Sequence, residues 1–445
     1  MDFVNFNESR NILIITSSGG SGHLQAAAAI EAYAKELPNV KLKKIDLLKE
    51  LGIGKIGGIA VNQWDQALKM GDIDKQIYLV NKKWLAEALF VLPIYFKILY
   101  LLWKYEIDLI VDTQPLGTKA IVHAAYTVNR ANEVLKRNLP KITVSKIMTD
   151  LPTDKATHFY DAIKLLDKEE RQIFELVTTI PLLKNGETDQ DFWKKHCNLS
   201  IKQVRYANLP LRSAFNRYTS PFIPNKPKYL KVKFNTEDEF NLVKSCLGKD
   251  RLEYTINSDG KKVIQNEVAE NDQVFTVLLG GQAVIEATLE YVKKMIRWAR
   301  RSKHKDSCFH LYVFCSKHIS GQNTLFKQIC NLTIKTKDFP KNLHVIPLAL
   351  QDDTEVAPIL FRSDVIIIRS GGMASMEVLK IVNGKAFIHS EVKNATRKST
   401  QHELLKGIAL WEAGNAEYLI KMKHAIIVTP KSILSELSKV KFSNK

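Results

Sequence analysis

The stretch Asn11–Ala29 reads N-I-L-I-I-T-S-S-G-G-S-G-H-L-Q-A-A-A-A and decides the fold of this 445-residue chain. Its apolar run, Ile12–Ile15, is typical of a buried strand. A loop of serines and glycines follows at Ser17–Gly22, and the alanine-rich segment Leu24–Ala34 is typical of a helix packed closely against a sheet. A strand, a glycine loop and a helix in this order place unpaired backbone N–H groups where they can face an anion.

His23 stands in the first turn of that helix, at the mouth of the glycine loop. The loop matches neither G-x-G-x-x-G nor the P-loop, because no G-K-[ST] follows it. A tight turn in an α/β protein explains the loop equally well. The loop by itself therefore leaves two interpretations open, an anion site and a structural turn.

The same order of strand, polar turn and helix recurs along the chain. The predicted strands of the first half are Ile12–Ile15, Val40–Ile45, Leu109–Val111, Ile142–Ile147 and Phe174–Thr178. Those of the second half are Val274–Leu279, Phe309–Phe314, Leu343–Ile346, Val365–Ile368 and Ala386–Ile388. This alternation indicates parallel sheets built of βαβ units. Each half opens with a strand that runs into a glycine turn, so we predict an α/β protein of two Rossmann-like domains that face one cleft.

The pattern divides the chain into four regions. We predict a first Rossmann-like domain at 1–215, a linker and insertion at 216–272, a second Rossmann-like domain at 273–405, and a helical tail at 406–445 that packs back across the cleft. Within the insertion, the residues predict a helix at Glu237–Cys246 and a hairpin around Ser258–Gly260.

The composition is that of a globular protein, with 45% hydrophobic and 25% charged residues. The formal net charge of +18 predicts an anionic partner. The basic residues are scattered and form no nucleic-acid-binding signature. A general positive field therefore fits an anionic membrane surface better than nucleic acid.

The five cysteines are odd in number and form no C-x-x-C pair, which indicates a reducing compartment and argues against a zinc site or a disulfide framework. The first strand begins near Asn11 and leaves no room for a signal peptide, so we expect a cytoplasmic protein. The apolar segment Trp84–Trp103 is about as long as a membrane span but carries Glu87, Lys97 and Pro93. We expect core and interdomain helices there; a helix lying in a membrane interface is the alternative.

A second constellation occupies Val365–Leu379, which reads V-I-I-I-R-S-G-G-M-A-S-M-E-V-L. Glu377 lies at most two turns into the predicted helix, so its carboxylate can reach a pair of ribose hydroxyls while the helix N-terminus holds phosphates. A purely structural ion pair explains Glu377 as well. Further polar residues cluster at Thr400–Glu403 and at Trp411–Ala416.

Five motifs follow one another between Asn11 and Ala416. They are S-S-G-G-S-G-H at Ser17–His23, T-D-L-P-T at Thr149–Thr153, A-N-L-P-L-R at Ala207–Arg212, L-L-G-G-Q at Leu278–Gln282, and R-S-G-G-M-A-S-M-E at Arg369–Glu377 followed by Q-H-E at Gln401–Glu403. In this order they resemble the GT-B glycosyltransferases that include monogalactosyldiacylglycerol synthases, processive diacylglycerol glucosyltransferases and the lipid-linked N-acetylglucosaminyltransferase of peptidoglycan synthesis. The resemblance implies the two-domain GT-B fold.

The resemblance also implies a UDP-sugar donor held mainly by the second domain. Glu377 would bind the ribose, and a glycine turn would hold the diphosphate. Arg212 would approach a phosphate, and other residues would line the pocket or contact sugar hydroxyls. The full set of implied donor-binding residues is Arg212, Gly281, Gln282, Ser370, Gly371, Gly372, Glu377, Gln401 and Glu403.

The acceptor would lie on the first domain, beside a loop of four residues: Gly19, Gly20, Ser21 and Gly22. Displacement at the anomeric carbon needs a base within hydrogen-bond reach of the acceptor hydroxyl. His23 and Asp150 are the candidate catalytic residues. We favour Asp150 as the base with His23 orienting the acceptor, and the reverse assignment stays open. A structural turn cap before Pro152 is the alternative role for Asp150.

No metal or other cofactor is expected, because helix N-termini and an arginine can stabilise a diphosphate leaving group. A metal-dependent GT-A enzyme would need D-x-D. Asp72–Asp74 and Asp189–Asp191 match that spelling, but neither follows a buried strand. We predict that both are loop or cap residues.

The resemblance predicts an inverting hexosyltransferase that acts on a lipid at a membrane surface. The chain departs from the family at Asn383–Lys385, where a proline is usual, and at Leu405, where an asparagine is common. The loop Glu391–Thr400 is also longer and more basic. These departures leave the identity of the sugar open and permit a catalytically weak module that binds nucleotide sugars or lipids. The insertion Asn216–Gln273 leaves the acceptor open, so a protein or soluble acceptor is a further alternative, as is a UDP-sugar 2-epimerase.

Overall fold

A computed structural model describes residues 11–17, 21–50, 54–207, 211–219, 226–247, 252–256, 260–302, 307–396 and 398–440. The first domain is built on a six-stranded parallel sheet in the order β2-β1-β3-β4-β5-β6. Its strands are β1 (Asn11–Thr16), β2 (Lys41–Asp46), β3 (Leu109–Asp112), β4 (Thr143–Ile147), β5 (Phe174–Thr178) and β6 (Val204–Tyr206). Its helices are α1 (Ser21–Lys35), α2 (Leu47–Glu50), α3 (Gly54–Lys69), α4 (Ile73–Asn81), α5 (Lys83–Tyr105), α6 (Thr118–Val134), α7 (Thr157–Lys164) and α8 (Asp189–Cys197). The short helix α9 (Ser213–Asn216) comes next, and its Ala214 and Phe215 pack in the hydrophobic core that contains the second parallel sheet.

A small antiparallel sheet follows, in the order β7-β9-β8. Its strands are β7 (Tyr229–Phe234), β8 (Leu252–Ile256) and β9 (Lys262–Glu267), and the helix α10 (Glu237–Cys246) connects β7 to β8. The helix predicted at Glu237–Cys246 is confirmed at the same bounds. Of the predicted hairpin turn, Ser258 and Asp259 lie outside the described residues, and the strands on either side of it pair as a hairpin does.

The second domain is built on another six-stranded parallel sheet, in the order β12-β11-β10-β13-β14-β15. Its strands are β10 (Gln273–Leu278), β11 (Phe309–Phe314), β12 (Leu343–Leu348), β13 (Val365–Ile368), β14 (Lys385–His389) and β15 (Ile426–Val428). Its helices are α11 (Ile285–Arg301), α12 (Leu325–Lys335), α13 (Asp353–Arg362), α14 (Gly372–Ile381), α15 (Gln401–Leu405), α16 (Leu410–Lys423) and α17 (Ile433–Leu437). Two parallel sheets, each wound with helices, confirm the predicted GT-B class. β15 shows that the tail 406–445 contributes a strand to this sheet in addition to its helices.

Burial explains why the strands could be recognised. Helices cover both faces of a parallel sheet, so its strands become nearly continuous apolar runs. All four residues of Ile12–Ile15 are fully buried, and the four isoleucine and valine side chains of Val365–Ile368 are at most 2% exposed. The predicted strands are therefore confirmed within a residue or two of their ends.

The segment Trp84–Trp103 forms part of a single helix, α5, with Pro93 inside it. One face carries Ile94, Ile98 and Leu101 into the core of the first domain, which confirms the predicted core role for that face. The opposite face is exposed. No helix in the described part of the chain combines the length and the apolar character needed to cross a bilayer.

Candidate active site

The two domains meet where the carboxyl ends of their sheets face each other. The N-terminus of α14 rests on the turn that follows β4. A Cβ added at Gly372 would stand 1.9 Å from the Thr149 carbonyl oxygen and 2.4 Å from Asp150 Oδ1. At Gly22, a Cβ would stand 3.3 Å from Met373 Cγ. Glycine at position 372 therefore lets the backbones of the two domains approach closely, and Gly22 makes room for the Met373 side chain.

Asp150 lies in this contact and both of its carboxylate oxygens are hydrogen-bonded. Oδ2 is 2.9 Å from His158 Nε2, and Oδ1 accepts from Asn415 Nδ2 at 2.9 Å. Burial opposes ionisation of Asp150, but the hydrogen bonds from His158 and Asn415 outweigh it and hold the pKa of the carboxyl below its usual value. The structure thus gives Asp150 a stable negative charge and two neighbours that fix its orientation.

Asn415 on α16 ties the two domains together through one buried amide. Its Oδ1 accepts from the Leu151 backbone N–H at 2.8 Å, and its Nδ2 donates to Asp150 and to the Ser370 carbonyl, each at 2.9 Å. Next to it, a Cβ added at Gly414 would stand 2.1 Å from Thr153 Oγ1. Sequence reasoning found the cluster Trp411–Ala416 but gave Asn415 no role, and it missed His158 altogether. Position in the first turn of the helix after T-D-L-P-T is the only signal that marks His158.

His23 is half-buried, and its Nδ1 lies 2.8 Å from the Thr113 carbonyl oxygen. A carbonyl oxygen only accepts, so Nδ1 carries the hydrogen and the lone pair of the neutral ring is on Nε2. Thr149 Oγ1 also lies 3.0 Å from Nδ1. Burial lowers the pKa of His23 to about 4, although the charge of Asp150 opposes the shift. The ring is therefore neutral at pH 7, with Nε2 as its basic nitrogen.

This lowered pKa predicts a dependence of stability on pH. Between pH 6.5 and about pH 4, the unfolded chain binds a proton at His23 that the folded chain does not bind. The stabilisation from neutral His23 is therefore complete above the unfolded pKa and is lost as the pH falls toward the folded one. The urea midpoint of the wild-type protein should fall as the pH is lowered through this range. In His23→Gln we expect the urea midpoint to depend less on pH over the same range. An equal acid loss in both proteins would contradict the assignment.

Glu377 and Arg212 were both predicted to contact the donor, and the structure brings them together. Arg212 Nε and Nη2 donate to Glu377 Oε1 at 3.0 and 2.8 Å. The guanidinium also lies over the Phe215 ring at 4.7 Å. Burial raises the pKa of the Glu377 carboxyl even though Arg212 opposes the shift. Both contacts use one oxygen, so Oε2 makes no hydrogen bond to the described residues.

The glycine turn before α14 offers one open position. Nothing lies within 4 Å of a Cβ built on Gly371, whereas Ser370 is fully buried. The Ser370 hydroxyl is buried without a hydrogen-bond partner among the described residues. On the neighbouring turn, Gly281 is exposed, and Gln282 Nε2 lies 3.4 Å from Asp65 Oδ2 of the first domain.

The predicted sugar-contacting residues Gln401 and Glu403 lie on α15. The Gln401 amide exchanges two hydrogen bonds with the backbone of Ile427, at 2.6 and 3.0 Å, and so supports β15. Glu403 forms a capping box with Thr400 at the start of α15. Glu403 also lines a cavity of about 460 Å³ together with Gly71, Ile73, Asp74, Glu391, Val392, Lys393, Asn394, Ser399, Lys406 and Gly407.

Other predictions for the site concern the glycine loop and metals. Gly19 and Gly20 lie outside the described residues, and Ser21 begins α1. The D-x-D stretches are confirmed as caps: Asp72 caps α4, and Asp191 closes a capping box at the start of α8. Among the residues that the structure describes, no three histidines, cysteines or carboxylates are grouped so as to hold a metal ion.

Comparison with known proteins found no matching protein-family model and no matching curated protein. Solved structures similar to this chain include MurG of Acinetobacter baumannii, at 11% identity and a TM-score of 0.45, which covers 96% of this chain and 89% of that one. UDP-GlcNAc 2-epimerase from Methanocaldococcus jannaschii has 12% identity and a TM-score of 0.45, with 98% and 93% covered. The spinosyn rhamnosyltransferase SpnG, complexed with thymidine diphosphate, has 9% identity and a TM-score of 0.38, with 96% and 88% covered.

Proposed function

We propose that this chain is an inverting, metal-independent glycosyltransferase that moves a hexose or N-acetylhexosamine from a UDP-sugar to a lipid hydroxyl at a membrane surface. The observation that supports it most is the meeting of α14 with the His23 and Asp150 side of the first domain. A helix N-terminus, an arginine and a buried carboxylate stand on one side of the interface. A neutral imidazole and a fixed carboxylate stand on the other.

On the donor side, Glu377 Oε2 would accept a hydrogen bond from the ribose. The diphosphate would lie beside Gly371, where the N–H groups of α14 and the helix dipole favour negative charge. Arg212 would supply a positive charge near the leaving group, and the hydroxyl of Ser370 would be a further donor. These groups stabilise a departing diphosphate without a metal.

On the acceptor side, the geometry supports His23 as the base, because both oxygens of Asp150 are already hydrogen-bonded. The acceptor hydroxyl would lose its proton to His23 Nε2 as its oxygen bonds to the anomeric carbon. The bond from that carbon to the diphosphate oxygen breaks, and UDP leaves with the electron pair. Attack on the face opposite the leaving group inverts the configuration. Asp150 would stabilise the imidazolium that forms.

A stripe of exposed apolar side chains on α5 supports a membrane as the site of action. Leu89, Leu92, Phe96, Tyr100 and Trp103 are between 54% and 64% exposed, and their spacing of three and four residues places them on one helix face. The Lys104 ammonium lies 5.3 Å from the ring centre of Tyr100. Apolar, aromatic and lysine side chains in this arrangement suit a helix that lies in the headgroup region of a bilayer.

Glu377→Gln tests the donor site. A UDP-sugar that binds the wild-type protein should raise its melting temperature, and loss of the hydrogen bond that the ribose donates to a buried carboxylate should weaken that binding about 10- to 100-fold. Glu290→Gln, on the exposed face of α11, is the matched control and should respond like the wild type. Equal responses of Glu377→Gln and wild type across a panel of UDP-sugars would contradict the donor assignment.

The acceptor is tested by incubating the protein with radiolabelled UDP-sugars and vesicles that contain diacylglycerol. Label should appear in the lipid fraction and depend on the vesicles. Label found only in protein or in a soluble product would overturn the lipid acceptor while leaving the donor site in place.

A further inference from the structure

A lysine lies inside the sheet of the first domain. Lys146 on β4 and Asp112 on β3 are register partners, and both are fully buried. Lys146 Nζ lies 2.6 Å from Asp112 Oδ2. Lys146 is the only charged residue in the predicted strand Ile142–Ile147, and the strand pattern does not explain it. Burial of an ammonium and a carboxylate carries a large desolvation cost, so the pair is expected to serve a purpose other than stability alone.

The pair holds the turn that follows β3. Lys146 Nζ also donates to the Gln114 carbonyl and, at 2.9 Å, to Thr118 Oγ1. Asp112 Oδ1 accepts from the Gln114 N–H at 3.1 Å. The backbone on both sides of Thr113 is thereby anchored to one charged centre.

Thr113 links this turn to His23. Its N–H donates to the Ile15 carbonyl at 3.0 Å, and its Oγ1 lies 3.2 Å from the His23 carbonyl oxygen. Its own carbonyl is the acceptor 2.8 Å from His23 Nδ1. The direction of that carbonyl decides which ring nitrogen of His23 carries the hydrogen, and so which nitrogen is basic.

We infer that Lys146 and Asp112 are positioning residues that fix the Thr113 carbonyl and thereby hold His23 in its Nδ1–H tautomer, with Nε2 as the basic nitrogen. The tautomer itself follows from these contacts, and its catalytic meaning rests on the proposed function. A pair that served only the stability of the sheet would leave the tautomer of His23 unchanged when replaced.

The experiment records the ¹⁵N resonances of the full-length protein labelled at histidine, at pH 7, and assigns His23 by their loss in His23→Gln. Wild type should show the Nδ1–H pattern. The double variant Lys146→Met with Asp112→Leu replaces the ion pair by apolar side chains, a change that folded proteins often accept. It should show a mixture of the two tautomers. Lys233→Met, which removes a lysine from the buried Glu355, is the matched control and should leave His23 unchanged.

Two results would overturn the inference: an Nε2–H pattern in wild type, or a pure Nδ1–H pattern in the folded double variant. If the double variant fails to fold, Asp112→Asn, which keeps the side-chain size, takes its place. A mixture of tautomers in that variant would support the inference, and a pure Nδ1–H pattern would overturn it. A transfer assay adds a second reading, in which kcat should fall at least tenfold while KM for the donor stays near wild type. Because the spectra need no substrate, absence of transferase activity would contradict the proposed function and leave the tautomer result to stand by itself.

Discussion

Replacing His23 by glutamine is expected to lower kcat for sugar transfer by about 10²- to 10⁴-fold, the usual effect of losing a general base. Glutamine keeps a side-chain N–H for the Thr113 carbonyl but has no nitrogen that can take the proton of the acceptor. Affinity for the UDP-sugar should stay near wild type, because the implied donor residues lie on the second domain and at Arg212. Steady-state transfer rates and donor titrations measure the two effects separately.

His123→Gln is the matched control, since His123 lies half exposed on α6 beside Glu170. It should keep the wild-type kcat. Asp150→Asn should also lower kcat, because it removes the charge that stabilises the imidazolium. A variant at His23 with wild-type kcat, together with an inactive Asp150→Asn, would return the role of base to Asp150.

Replacing Phe96 and Trp103 together by glutamate is expected to abolish binding to vesicles that contain anionic lipid. Each large apolar side chain transferred out of water contributes about 1.5–3 kcal/mol. Loss of both therefore lowers the partition coefficient by about 10²- to 10⁴-fold, before any repulsion between glutamate and the lipid headgroups. Sedimentation of the protein with vesicles measures the effect directly.

The matched control replaces two exposed isoleucines of the second domain, Ile319 and Ile334, by glutamate. It changes the net charge by the same amount and also removes exposed apolar surface, but it lies on the second domain and not on α5, so vesicle binding should persist. Loss of binding in both double variants would mean that the overall charge of +18, and not the stripe on α5, holds the protein at the membrane.

Local patterns determined most of the architecture. The apolar runs at Ile12–Ile15 and Val365–Ile368 are strands because a parallel sheet buries both faces of each strand. The glycines that follow these runs lie where the two domains meet: Gly372 against the Thr149 backbone and Gly22 against the Met373 side chain. For Trp84–Trp103, the composition predicted core and interdomain helices, whereas the structure has one helix, α5, with one face in the core and the opposite face exposed.

The sequence by itself determined two βα domains, the order of their strands along the chain, the helices that carry His23 and Glu377, and the turn that carries Asp150. The tertiary structure alone decided what each side chain touches. Asn415 meets Asp150 across 265 positions of sequence, and Arg212 meets Glu377 across 165. No local periodicity encodes such distances, because periodicity reports only which face of an element is buried. Such partners are set by how the completed elements of the whole chain pack together.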